Sequence, residues 1–179
     1  PVADTASGEA LLSLVTTAEA QVVGFDWGDQ NLIPANARPV FQCRLKYSGA
    51  IAGVRWVAGL ADSYNATFDT VANNAWFRID GALLDLLAET DDSTTDRDDQ
   101  DTTFNLVADT YVLLTIDMTN IGLIRFSVDD QAYLELAAAA FVAADVLQPV
   151  IWLQNDAGGA STDKTLTVDY IRVSWDRAA

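Results

Sequence analysis

The chain has 179 residues, which suits one domain with a core of ordinary size that needs neither disulfides nor a metal to hold it. Half of the residues are hydrophobic, with five Trp, seven Phe and five Tyr, so the composition excludes a disordered chain. Ten basic against twenty-six acidic side chains give a formal charge of −16, which argues against nucleic acid and anionic lipid as partners.

No apolar run reaches the roughly 18 residues of a membrane span, and Pro1-Val2-Ala3-Asp4 lacks the basic and apolar regions of a signal peptide, so no membrane association is expected. The dominant periodicity along the chain is two, the repeat of a strand. Leu11 to Thr16 and Gln21 to Trp27 are the first, weaker strand candidates. Pro34 and Pro39 then bracket a connection. Residues 1–39 are therefore expected as an N-terminal hairpin or arm integrated with the domain, and residues 40–179 as the sandwich proper, within a single domain.

Val40 to Tyr47 places Phe41, Cys43, Leu45 and Tyr47 on one face and Gln42, Arg44 and Lys46 on the other, as in a strand with one wet side. Val54, Trp56, Ala58 and Leu60 repeat the pattern, and Ala75 to Ile79 sets Trp76 and Arg78 against Phe77 and Ile79. Leu83 to Glu89 and Thr103 to Val107 are weaker candidates, and Val112 to Met118 and Ile124 to Val128 are core strands. Asp129-Asp130-Gln131 marks a tight hairpin turn leading into Ala132 to Leu136. Ala137 to Ala140 has the composition of a helical turn, so at most one short helix is expected there. Val150 to Gln154 and Leu166 to Trp175 close the series, the last apolar on both faces toward its end, as a central or bulged strand would be. About a dozen short strands without βαβ alternation predict an all-β, two-sheet antiparallel sandwich.

Chemistry is sparse. Histidine is absent, which removes the commonest general base, the usual hydrolase triads and ordinary zinc ligand sets, and the expectation from this is that the chain is not an enzyme. Cys43 is the lone cysteine and falls on an apolar strand face, where it reads as a small core residue. The run from Glu89 to Asp101 carries six Asp and reads as an exposed charged loop. Its carboxylates are hard calcium ligands, but the loop lacks the Gly and the closing Glu of an EF-hand.

Glu89 and Asp91 stand at alternate positions, as paired glycosidase carboxylates would. Glucanases on this sort of sandwich carry Glu-x-Asp-x-x-Glu, and here Thr94 stands where the last Glu belongs. No catalytic, cofactor-binding or metal-ligating residue is therefore assigned, and no cofactor is expected. The tryptophans raise sugar stacking, yet Trp56 and Trp76 alternate within strands and Trp27, Trp152 and Trp175 lie in apolar runs, which reads as core or interface.

Six segments taken in order carry a resemblance. They are Val57-Ala58-Gly59-Leu60-Ala61-Asp62, Ala75-Trp76-Phe77-Arg78-Ile79-Asp80, Ala88-Glu89-Thr90-Asp91-Asp92, Ile124-Arg125-Phe126-Ser127-Val128-Asp129, Leu147-Gln148-Pro149 and Thr165-Leu166-Thr167-Val168-Asp169-Tyr170-Ile171. Together they resemble the concanavalin A-like (laminin G-like) jelly-roll virion proteins of tailed phages. Laminin G-like domains commonly read Val-Asp-Gly at the hairpin; Asp130 in place of the Gly suggests a turn that does not demand positive φ there.

The resemblance implies a bacteriophage structural protein of the capsid decoration or cement type. Such a protein binds the major capsid protein on the outer surface of the virion and stabilises the shell. It also implies a homo-oligomer, with a trimer the first expectation. The alternatives are a carbohydrate-binding module of a tail or fibre and a glycosidase-like protein.

Overall fold

The computed structural model describes residues 2–4, 8–15, 19–28, 30–137, 141–142, 144–155 and 164–176. Its strands are β1 (Val2–Asp4), β2 (Ala10–Leu14), β3 (Gln21–Phe25), β4 (Ile33–Pro34), β5 (Val40–Ser48), β6 (Val54–Ala61), β7 (Asn73–Ile79) and β8 (Asp85–Asp92). They continue as β9 (Asp96–Asn105), β10 (Val112–Asp117), β11 (Ile124–Val128), β12 (Gln131–Leu136), β13 (Val146–Asn155) and β14 (Lys164–Ser174). Two antiparallel sheets result. Sheet A runs β1-β2-β14-β5-β10-β11-β12, and sheet B runs β3-β13-β6-β7-β8-β9, with β4 also pairing β13. The expected all-β, two-sheet sandwich is the architecture observed. Residues 2–34 supply β1 and β2 to sheet A and β3 and β4 to sheet B.

The facing sides of the sheets make the main core. Phe41, Cys43 and Leu45 of β5 and Leu114 and Ile116 of β10 meet Trp56, Ala58 and Leu60 of β6 and Phe77 of β7. The Phe77 ring stands edge-on to Phe126 across the two layers, with centroids 5.1 Å apart. Sheet A follows the simple alternation read from the sequence: β5 buries every second residue. Cys43 is fully buried, and burial holds its thiol well above its ordinary range, so it is an inert core residue.

Sheet B departs from that alternation because it is buried on both faces. Residues 62–72, between β6 and β7, fold back across its outer side and place Phe68 and Val71 on Val57, Ala61, Trp76, Val150 and Trp152, a second apolar cluster. Gly59 lets β6 lie close against β7: a Cβ there would lie 2.3 Å from the Ala75 carbonyl oxygen and 2.6 Å from the Trp76 Cα.

Three expectations need correction or placement. The acidic run is a hairpin rather than a loop: β8 extends to Asp92 and β9 begins at Asp96. Asp91 and Asp92 at the end of β8 brace its turn, Asp91 accepting the Ser93 N–H at 2.7 Å and Asp92 the N–H groups of Thr94 and Thr95 at 3.0 and 2.8 Å. At the β11–β12 hairpin both Asp129 (φ 49°) and Asp130 (φ 64°) are left-handed, so the turn does demand positive φ, and Asp supplies it where Gly is usual. Residues 138–140, where a helical turn was expected, lie outside the described residues. The last strand, read as central or bulged, lies between β2 and β5 and carries a register shift between Val168 and Tyr170.

Candidate functional site

The outer face of sheet B carries the chain's densest charge chemistry, and strand geometry puts it there. On β7, Asn74, Trp76 and Arg78 alternate with the core residues Ala75, Phe77 and Ile79 and share the outer face. On β8, Glu89 lies directly across from Trp76. The β8–β9 pairing then slips: Ala88 pairs Gln100 and Thr90 pairs Arg97, so Asp98 and Asp99 both fall opposite Glu89. Asp99 takes φ 49° in this bulge. One extra residue thus gathers two acids beside a third on the face where Arg78 emerges.

Arg78 is the hub. Its Nη1 donates to Glu89 Oε2 at 2.6 Å and to Asp69 Oδ1, its Nη2 to Asp80 Oδ1 at 3.3 Å, and its Nε lies 3.3 Å from Asp99 Oδ1. Its side chain is 3% exposed and that of Glu89 1%, whereas Asp69, Asp80 and Asp99 are about half exposed and form a rim. Asn74 Nδ2 donates to Glu89 Oε1 at 3.3 Å and to the Val71 carbonyl at 3.2 Å, tying the carboxyl to the overlying segment.

Burial raises the Glu89 carboxyl to about 7, although the guanidinium pulls the other way. Burial works against the Arg78 charge as well, but Glu89 and Asp69 more than offset it and hold the guanidinium above its ordinary range. Asp98 is raised to about 6, by burial first and then by its neighbour Asp96. Asp91 and Asp99 are raised too, burial again being the largest cause. The site therefore holds two carboxyls, Glu89 and Asp98, that burial moves toward the range where protons exchange near neutral pH, a setting that general acid–base chemistry uses.

Carboxylate oxygens of Asp69, Glu89 and Asp98 lie within 4.8 Å of one another, close enough for a divalent cation. Arg78 Nη1 already bonds two of the three, so the guanidinium is the positive charge that this constellation is built around. Next to it runs an aromatic row. Tyr64 stands edge-on to Trp152 at 4.9 Å, Trp152 packs against Trp76 at 6.5 Å, and Trp76 against Phe68 at 5.9 Å. Tyr64 is the exposed member; Phe68, Trp76 and Trp152 are buried.

The sequence pairs Glu89 with Asp91. The structure instead brings Glu89 together with Arg78, Asp69 and Asp98, while Asp91 is spent on the hairpin turn. Asp69 belongs to a connection that follows no strand pattern, and no signal in the sequence foretells the bulge that aims Asp98. Arg78 was legible as sharing a face with Trp76.

No family model matches the chain, and no curated protein does. Solved structures match it well. It is similar to the Bacillus licheniformis β-glucanase at TM-score 0.67 and 14% identity, over 99% of this chain and 82% of that one. The fold is a concanavalin A-like jelly roll. An alginate lyase of Pseudomonas aeruginosa aligns at TM-score 0.66 and 14% identity, covering 98% of this chain and 86% of the lyase. The carbohydrate recognition domain of Emp46p aligns at TM-score 0.60 and 10% identity, covering 96% of this chain and 84% of that domain.

Such identities establish the fold alone. Most of these neighbours are nevertheless enzymes, glucanases, lyases and a glycosidic hydrolase among them, and this overturns the expectation that the chain is not an enzyme. That expectation rested on the missing histidine. A paired-carboxylate mechanism needs none.

Proposed function

We propose that the chain is a carbohydrate-recognising jelly-roll domain of glycosidase-like build, with its site on the outer face of sheet B around Glu89 and Arg78. The observation that carries this reading is the carboxyl group of Glu89. It is raised to about 7 and has carboxylate oxygens of Asp69 and Asp98 within 4.8 Å. A retaining glycosidase sets its two carboxyls about 5 Å apart, one protonated and one ionised. In this reading Glu89 is the proton donor and Asp98, raised only to about 6, the ionised partner.

The rim selects the ligand. Asp69, Asp80 and Asp99 line it at about half exposure, so a polyuronate is repelled and a neutral glycan is favoured. Glu89 lies behind the Phe68–Thr70 turn, and a sugar that reaches it displaces that turn. A glycan array, followed by reducing-sugar release from the neutral polysaccharides that bind, tests the proposal. Binding with hydrolysis abolished by Glu89→Gln supports the full reading. Binding without hydrolysis reduces it to a recognition module, and no binding to any neutral glycan sinks it.

The second reading is a capsid decoration protein bound to the major capsid protein on the outer virion surface. What favours it is the six-segment resemblance, together with a sheet B outer face already filled by the chain's own Phe68, Trp76 and Trp152. Saturable, stoichiometric binding to undecorated cognate capsids supports it, and failure to bind them removes it.

A further inference from the structure

The inward side of sheet B, apolar along most of its length, ends in polar residues. On β8, Leu86 and Ala88 point into the core, and Thr90 and Asp92 follow them on the same side. Across the strands, Ala75 pairs Thr90 and Asn73 pairs Asp92. Asp62, just past β6, donates its N–H to the Asn73 carbonyl at 3.0 Å and so extends the inward row that Leu60 begins. Asp62, Asn73 and Asp92 therefore stand level on three neighbouring segments, with Thr90 one step nearer the core.

Buried oxygens in this row lack partners. Asp92 is 5% exposed; its Oδ1 accepts the Thr94 and Thr95 N–H groups, while its Oδ2 accepts nothing among the described residues. Thr90 is 2% exposed, and its hydroxyl is likewise unpartnered. Asn73 turns another oxygen the same way. Its Nδ2 donates to Asp62 Oδ2 at 2.8 Å, which leaves Oδ1 on the β8 side, 3.5 Å from Ser93 Oγ. That hydroxyl already donates to the Asp92 carbonyl at 2.6 Å. Among the described residues no ion pair reaches Asp62 or Asp92, and Arg97, across from Thr90, is exposed and pairs with neither. A buried carboxylate oxygen without a donor is unfavourable, and a cation is what removes that cost.

We infer that Asp62, Asn73, Thr90 and Asp92 form a calcium site at this end of the sandwich. The ligand class follows from the donors. All are hard oxygens, with no nitrogen or sulfur to favour a softer metal, and two carboxylates supply the charge. Calcium accepts an irregular shell of about six to eight oxygens, so short side chains from separate segments suit it, with water completing the shell. The site is distinct from the Asp69, Glu89 and Asp98 group, where Arg78 already supplies positive charge. It also has a structural consequence: Asp62 begins the 62–72 segment that crosses the Glu89 face, so an ion held between Asp62 and β8 ties down the start of that segment. Its occupancy does not depend on what the Glu89 face binds.

The test is calorimetric titration of the EDTA-treated full chain with CaCl₂, paired with urea midpoints in calcium and in EDTA. Asp92→Asn and Asp62→Asn each remove a charge and keep an oxygen, Thr90→Val removes the hydroxyl at nearly constant shape, and Asp98→Asn reports on the other carboxylate group. Midpoints in EDTA show that each variant folds. We expect about one Ca²⁺ per chain and a urea midpoint that calcium raises. Affinity should fall about tenfold or more in Asp92→Asn and in Asp62→Asn, fall less in Thr90→Val, and stay within about twofold of the parent in Asp98→Asn. Binding that is lost in Asp98→Asn but kept in Asp92→Asn overturns the inference and moves the ion to the Glu89 face. Flat titrations up to about 10 mM, with equal midpoints in calcium and EDTA, overturn it as well.

Discussion

Arg78 brings one positive charge among Asp69, Asp80, Glu89 and Asp99, and it is the buried partner that keeps this acidic face folded. Removing the buried guanidinium leaves the carboxyl groups it bonds without their donor, so Arg78→Ala is expected to cost about 1 to 3 kcal/mol in urea unfolding. Arg78→Lys should recover part of that, since an ammonium keeps the charge but not the fork that reaches several carboxylates.

Glu89 makes the converse prediction with pH. Its carboxyl is raised from 4.5 to about 7 in the fold, so between those values the folded chain holds a proton that the unfolded chain has lost. Stability therefore falls as pH rises through that window, by about 3 kcal/mol in all, and Glu89→Gln should flatten most of the slope. Urea titrations at several pH values check this, and stability that rises across the window would show Glu89 to be ionised in the fold.

At the scale of elements, the hairpins show how much was readable. Period-two alternation located every core strand of sheet A, because one wet face leaves a clean pattern in β5 and β10. It misjudged the acidic hairpin, because six Asp in a row of polar residues look like a loop to composition. What makes strands of them is non-local: inward Leu86 and Ala88 join the core, and turn and bulge positions absorb the extra acids. The bulge that assembles the site belongs to pairing register, which one strand's sequence does not specify.

The β11–β12 turn was misread for a related reason, since Asp tolerates the left-handed region without requiring it. Asp130→Gly should relieve the residual strain at φ 64° and stabilise the chain by about 0.5 kcal/mol, read as a higher urea midpoint at unchanged slope. Asp129→Ala should do the opposite, because its carboxylate accepts the Leu113 N–H at 2.9 Å.

For the whole molecule, a sandwich with one wet sheet and one sheet covered on both faces has a direction: its densest cluster of charged groups sits where residues 62–72 cross sheet B. Sequence reasoning found the architecture but took the absence of histidine to mean an absence of enzymes. The carboxyls of the proposed site come from three separate segments, β8, the bulge of β9 and the turn at Phe68–Thr70. The most direct test of a carbohydrate site on that face is to follow backbone amide shifts of the labelled chain during titration with a neutral β-glucan oligosaccharide. The account predicts saturable shifts centred on Asp69, Trp76, Glu89 and Asp98, lost in Asp98→Asn. Shifts absent from sheet B at saturating sugar would contradict it.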